Sequence, residues 1–129
     1  RMPEFKAVQM LFADDFPREI FRCFRENRLI ISALDANRPR GVNLKTCPVH
    51  IFGETREFLT GPIQIALRCG ATIVPTFLVS RPNFYYRIMV MPPLHAGAGD
   101  PPELATIMQG YADAVAEHIR HYPDHLSRI

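Results

Sequence analysis

Two histidine–carboxylate pairs sit at spacings that a general-base dyad can use: His95 and Asp100, with four residues between them, and His50 and Glu54, with three. An imidazole held by a carboxylate can take a proton from a hydroxyl nucleophile, and the carboxylate stabilises the charged ring. Either pair would make the chain a small, self-contained α/β hydrolase or transferase. Against the first, Gly97 and Gly99 loosen the intervening loop, and Asp100 is placed to cap a helix. Against the second, His50 reaches Glu54 only if a strand ends early and the loop curls back. His118, His121 and His125 fall at a polar helix end, where imidazoles complement the helix dipole or are solvated.

The other chemistry on offer is anion recognition. Among 15 basic residues only Lys6 and Lys45 are lysines, and the guanidinium fork suits bidentate contact with carboxylate or phosphate. The formal net charge of +2 is too small for nucleic-acid binding by bulk electrostatics. Cys23, Cys47 and Cys69 are odd in number and lie outside zinc or redox spacings, which points to buried thiols in a reducing compartment and to no metal site. No nucleophile elbow, phosphate loop or dinucleotide fingerprint occurs, nor a signal peptide or an apolar run of membrane-spanning length.

The elements that must position these groups follow from periodicity and punctuation. At 129 residues and 47% hydrophobic content the expectation is one α/β domain. Asp14 to Asn27 predicts an amphipathic helix with Ile20, Phe21 and Phe24 on one face, and Leu29 to Leu34 a buried strand. The polar stretch Asp35 to Lys45 then reads as a loop at that strand's carboxyl end, where open α/β sheets hold ligands. A short strand is expected over Pro48 to Phe52, a loop over Gly53 to Thr60, and a helix over Gly61 to Cys69 with Thr60 as N-cap and Gly70 as stop. Ala71 to Val79 and Tyr85 to Met91 predict a hairpin turning at Arg81-Pro-Asn83, irregular or at an edge near Pro75. Asp100 and Glu103 resemble a capping box opening a last helix, along which Leu104, Ile107, Met108, Tyr111, Val115 and Ile119 form a core stripe. Phe58-Leu59 beside Arg56 reads either as an interfacial membrane contact or as apolar side chains folded onto the core.

This order of signals resembles the bacterial lipid A biosynthesis acyltransferases of the lysophospholipid acyltransferase superfamily. The resemblance runs from Arg28 to Pro123 and rests on the strand ending in Asp35, a polar loop with Gly41, Phe52-Gly53, Thr60-Gly61-Pro62 leading into Ala66-Leu67, Gly70-Ala71 and Val74-Pro75, followed by the strand pair with Tyr86, the Pro92-Pro93 step and the last helix. Phe52-Gly-Glu-Thr-Arg56 is also similar to the superfamily's Phe-Pro-Glu-Gly-Thr-Arg block, with Gly and Glu in a different arrangement.

The resemblance implies a glycerol-3-phosphate acyltransferase-like fold, with a mixed, mostly parallel sheet flanked by helices. It implies transfer of a fatty acyl group from an acyl thioester, on acyl carrier protein or coenzyme A, to a hydroxyl of a lipid or glycolipid at a membrane surface. The substrate-binding candidates it marks are Asp35, Arg38, Arg40, Glu54, Arg56, Thr60 and Gly61. No further cofactor is implied. The family's catalytic His, four residues, then Asp or Glu lies upstream of everything matched, so the base is expected before Arg1 and these residues form the C-terminal part of the catalytic domain. The expected location is the cytoplasmic face of the bacterial inner membrane, peripheral or anchored by a preceding segment. Homo-oligomerisation would cover a face left apolar by such a division. The competing class is a non-catalytic α/β module that binds a lipid or a protein partner.

Overall fold

The computed structural model describes residues 9, 17–34, 45–97, 99–100 and 102–125. The chain divides into two compact units, Arg1–Ile31 and Ser32–Ile129.

In the first unit, helix α1 (Arg18–Arg25) buries Ile20 and Cys23. Glu19 in its first turn pairs with Arg22 at 3.2 Å, an exposed bridge of small energetic weight. The helix follows Pro17, and the expected cap at Asp14 or Asp15 lies outside the described residues. Leu29 to Leu34 is not a strand: Leu29 is 89% exposed and Ile31 is similarly open. Of that apolar run only Leu34 is buried, its carbonyl accepting from the Leu59 N–H at 2.9 Å.

The described residues of the second unit form two antiparallel hairpins and two α-helices, which makes the protein mixed α/β. The mostly parallel sheet expected from the sequence is not what the described residues form. Strands β1 (Thr46–Ile51) and β2 (Glu54–Leu59) pair from Thr46 opposite Leu59 to Ile51 opposite Glu54. The stretch after Gly53 is thus a strand and not a loop. Phe52 and Gly53, at φ +52 and +73, form the tight turn, the left-handed pair that matches the twist of a two-residue hairpin connection.

Helix α2 (Gly61–Arg68) starts with Pro62 in its first turn and ends at Gly70, whose φ of +64 lets its N–H reach the Leu67 carbonyl while the Ala71 N–H reaches Ala66. Strands β3 (Thr76–Arg81) and β4 (Tyr85–Val90) form the second hairpin around Pro82–Phe84. β3 begins only after Pro75, as expected for a residue that cannot donate to a ladder. Upstream, Ile73 makes an isolated bridge to His95.

Helix α3 (Leu104–His121) packs on β1 and buries Ile107, Met108 and Val115 of the anticipated stripe together with Ala112 and Ala116, whereas Leu104, Tyr111 and Ile119 are only partly buried. Val49 and Phe58 are buried as well, and the Phe58 ring meets Tyr111 edge-on at 5.8 Å. The capping box does not form. The helix opens at Leu104 with Glu103 as N-cap, whose carbonyl accepts from Thr106 and Ile107, so Asp100 stands outside it.

Candidate functional site

The hairpin ladder decides the fate of the His50–Glu54 pair. Residues opposite one another share a face, so His50 goes with Thr55, and Glu54 goes with Ile51 on the other side. His50 Nδ1 accordingly lies 3.3 Å from the Thr55 hydroxyl, while Glu54 binds Arg56 at 3.0 Å. The two cannot form a dyad on this strand pair.

His95 is buried, and its loop is firmer than its glycines suggest. Its carbonyl accepts from the Ile73 N–H at 2.8 Å, the Leu94 N–H reaches Ile73 at 2.9 Å, and the Thr72 hydroxyl reaches Ala96 at 3.0 Å. A Cβ on Gly97 would collide with the Gly70 carbonyl oxygen, so this close crossing needs a glycine. The His95 ring makes no hydrogen bond to Asp100 among the described residues, and Asp100 is exposed. That sequence pair is therefore no assembled base.

The candidate anion-binding residues separate into three places. Glu54 and Arg56 lie at the turn end of β2, paired with each other on a half-exposed surface. Thr60 and Gly61 lie at the other end, where β2 passes into α2. Three residues of extended strand, Glu57 to Leu59, lie between Arg56 and Thr60, which puts them about 13 Å apart along the backbone. Asp35, Arg38 and Arg40 lie outside the described residues, but their flanks are fixed: Leu34 accepts from the Leu59 N–H at 2.9 Å and Lys45 from the Thr60 N–H at 3.2 Å. Leu34 and Lys45 are therefore both held at the end of β2.

Thr60 is the unusual member. It is 1% exposed and occupies the N-cap position, yet its side chain makes no capping bond. Its Oγ1 is buried without a hydrogen-bond partner among the described residues. An N-cap hydroxyl ordinarily accepts from the second or third helical N–H, and burying it unpaired costs about 1–3 kcal/mol. Such a group calls for a partner, and the helix N-terminus beside it favours an anionic one.

The sequence leaves His118 either structural or solvated at a polar helix end; the structure buries it. Its ring stacks on Phe77 with centroids 4.2 Å apart and planes within 7°, and its Nε2 lies 2.9 Å from His125 Nδ1. Burial first, then the charges of His125 and His121, lowers its pKa below the ordinary 6.5. The signal was present, because His118 continues the Tyr111–Val115 spacing of the core stripe.

Gln109 had no signal. Its side-chain amide accepts from the His50 N–H and donates to the His50 carbonyl, both at 2.9 Å, and also donates to Asp113 at 2.9 Å. The reading of three buried thiols needs correction as well: Cys23 is buried, Cys47 is partly open and Cys69 is exposed at the end of α2. Among the described residues no group of three or more His, Cys, Asp or Glu converges on a metal position, and no helix is long and apolar enough to cross a membrane. Phe58, one of the suggested membrane residues, is a core side chain of β2.

The described residues thus form an α/β unit with a buried, unpartnered hydroxyl at the start of α2. The bacterial lipid A biosynthesis acyltransferase family matches this chain over residues 6–126, and the chain belongs to that family. The family implies an acyltransferase with an acyl donor and a lipid acceptor. No curated protein matches the chain.

Proposed function

We propose that the protein takes part in moving a fatty acyl group from an acyl thioester, on acyl carrier protein or coenzyme A, to a hydroxyl of a lipid A-type glycolipid precursor, at the cytoplasmic face of the bacterial inner membrane. The acceptor oxygen attacks the thioester carbonyl, the C–O bond forms, the C–S bond breaks, and the hydroxyl proton passes through a base to the departing thiolate. In this reading the base is an imidazole oriented by a carboxylate, and neither His50 with Glu54 nor His95 with Asp100 supplies it. The role of these residues is to hold the acceptor. Thr60 and Gly61 at the start of α2 receive one of its anionic groups. Asp35, Arg38 and Arg40 join in that contact, and Arg56, oriented by Glu54, meets a second anionic group at the far end of β2.

The observation that carries the assignment is the buried, unpartnered hydroxyl of Thr60 at a helix N-terminus, in a chain of this family. Thr60→Val separates a binding role from a packing one. Removing an unsatisfied hydroxyl leaves stability unchanged or raises it by about 1 kcal/mol, whereas loss of an acceptor contact lowers kcat/KM for the acceptor about tenfold or more. Unchanged kinetics in T60V end the assignment. Arg56→Ala costs less than about 1 kcal/mol of stability, since its ion pair is half-exposed; a normal acceptor KM in that variant removes Arg56 from the site.

A further inference from the structure

The β3–β4 hairpin carries a surface that the acyl-transfer reading leaves unused. By register, Leu78, Tyr86, Ile88 and Val90 share one face, and all four are exposed. At the tip Phe84 is 93% exposed with φ +61, directly after Asn83 at φ +62. The left-handed region disfavours bulky side chains, and Gly or Asn serves such a turn at lower cost. Folding alone does not account for a phenylalanine there; contact with something outside the chain does.

The opposite face supplies the charge. Arg81 lies across from Tyr85 and Arg87 two residues farther along the same face. Neither arginine has an ion pair or hydrogen bond among the described residues. No Asp or Glu occurs between Glu57 and Asp100, so these cations have no carboxylate anywhere on the hairpin.

We propose that this hairpin docks on an anionic bilayer surface. Phe84 enters the boundary between headgroups and acyl chains, Tyr85 and Tyr86 sit at headgroup level, and Arg81 and Arg87 take lipid phosphates. An apolar face by itself would suit a second copy of the chain equally well. The uncompensated arginines select the anionic lipid: they lie on the face opposite the apolar residues, so a second copy covering the apolar face would leave them unpartnered, whereas a bilayer that takes the aromatic tip offers phosphates to both faces. The proposal rests on the reading that the acyl acceptor is a lipid, which an enzyme must meet at a bilayer.

The test is sedimentation of the protein with vesicles of phosphatidylcholine alone and with about 30% phosphatidylglycerol, a content that gives a marked surface potential. The parent protein partitions onto the anionic vesicles. Phe84→Asn weakens that partition about tenfold, the loss expected for one fully withdrawn aromatic ring. R81Q combined with R87Q removes most of the preference for phosphatidylglycerol. Asn tolerates the left-handed backbone, so F84N melts no lower than the parent and its loss is not one of folding. Parent-like vesicle binding in both variants overturns the proposal. So does a change of oligomeric state in F84N with vesicle binding intact, which gives the face to a second copy. Vesicle binding is read without acyl transfer: variant-sensitive binding in a parent that transfers no acyl group upholds the hairpin and ends the catalytic reading, whereas variant-insensitive binding in an active parent does the reverse.

Discussion

The two hairpins of this protein are built alike and finished differently. Each has six-residue strands and each carries a phenylalanine with a left-handed backbone at its turn, Phe52 in the first and Phe84 in the second. Around Phe52 the turn ring and the charges beside it have partners within the chain. The ring is 48% exposed with the Arg120 guanidinium 5.9 Å above it, Glu54 and Arg56 neutralise one another, and Val49 and Phe58 lie under α3. Around Phe84 the ring is open, the arginines are uncompensated, and an apolar face points outward. Equal local geometry with unequal satisfaction indicates that the second hairpin is finished by something other than its own chain.

The largest effect that sharpens this contrast is in packing. Met108→Ala, in the core against the first hairpin and fully buried, should cost about 2–5 kcal/mol. Ile88→Ala, on the outer face of the second, should stay within about 0.5 kcal/mol. Thermal melts of both variants test the claim, and a large loss in I88A would show that the outer face is covered in solution. A smaller effect comes from the turns. Phe84→Gly relieves a strained backbone and loses no ring contact, so a gain of up to about 1 kcal/mol is expected. Phe52→Gly relieves the same strain but forfeits a cation–π contact of about 0.5–1 kcal/mol, which leaves little or no gain. Equal shifts in the two variants would break the comparison.

The smallest effect is a pH slope at the inner side of the second hairpin, where Phe77 stacks on His118. The folded state lowers the His118 pKa below 6.5 through burial and through His125 and His121. The unfolded chain therefore binds a proton first as pH falls. The stability tied to a neutral His118 is fully present above 6.5 and is lost as pH drops through the lowered folded value. His118→Phe keeps an aromatic stack and removes the titration, so the fall in melting temperature from about pH 7.5 to about 5.5 should be shallower than in the parent. An equal fall in both would place the acid sensitivity elsewhere.

What could be read from the sequence was whatever punctuation marks. Thr60, Pro62 and Gly70 bracket α2 to within a residue, the second hairpin turns one residue beyond the expected Arg81-Pro-Asn83, and Ile107, Met108 and Val115 of the α3 stripe are buried. β2 was hidden because Glu54-Thr-Arg-Glu is polar on both faces and resembles a loop until Phe58 pairs it with β1. Leu29 to Leu34 misled in the opposite sense. Its composition suits a buried strand, but burial depends on a neighbouring surface, which a run of side chains does not specify. In the candidate site the position of Thr60 was legible, whereas its idle hydroxyl was not, since that depends on backbone angles of −115° and −17°. Gln109 could not be foreseen, because its partner lies 59 residues away in the chain.

That glutamine protects the fold in another respect. Alternate residues of a strand turn their peptide groups to the same side, so His50 and Pro48 both face away from β2, toward the other border of β1. Gln109 occupies the His50 peptide with a side-chain amide that imitates one rung of a third strand. Pro48, the next rung, has no N–H to offer. A foreign strand arriving at this border finds one rung taken and the next without a donor, so the hairpin is guarded against the edge-to-edge growth that leads short β-structures into aggregates.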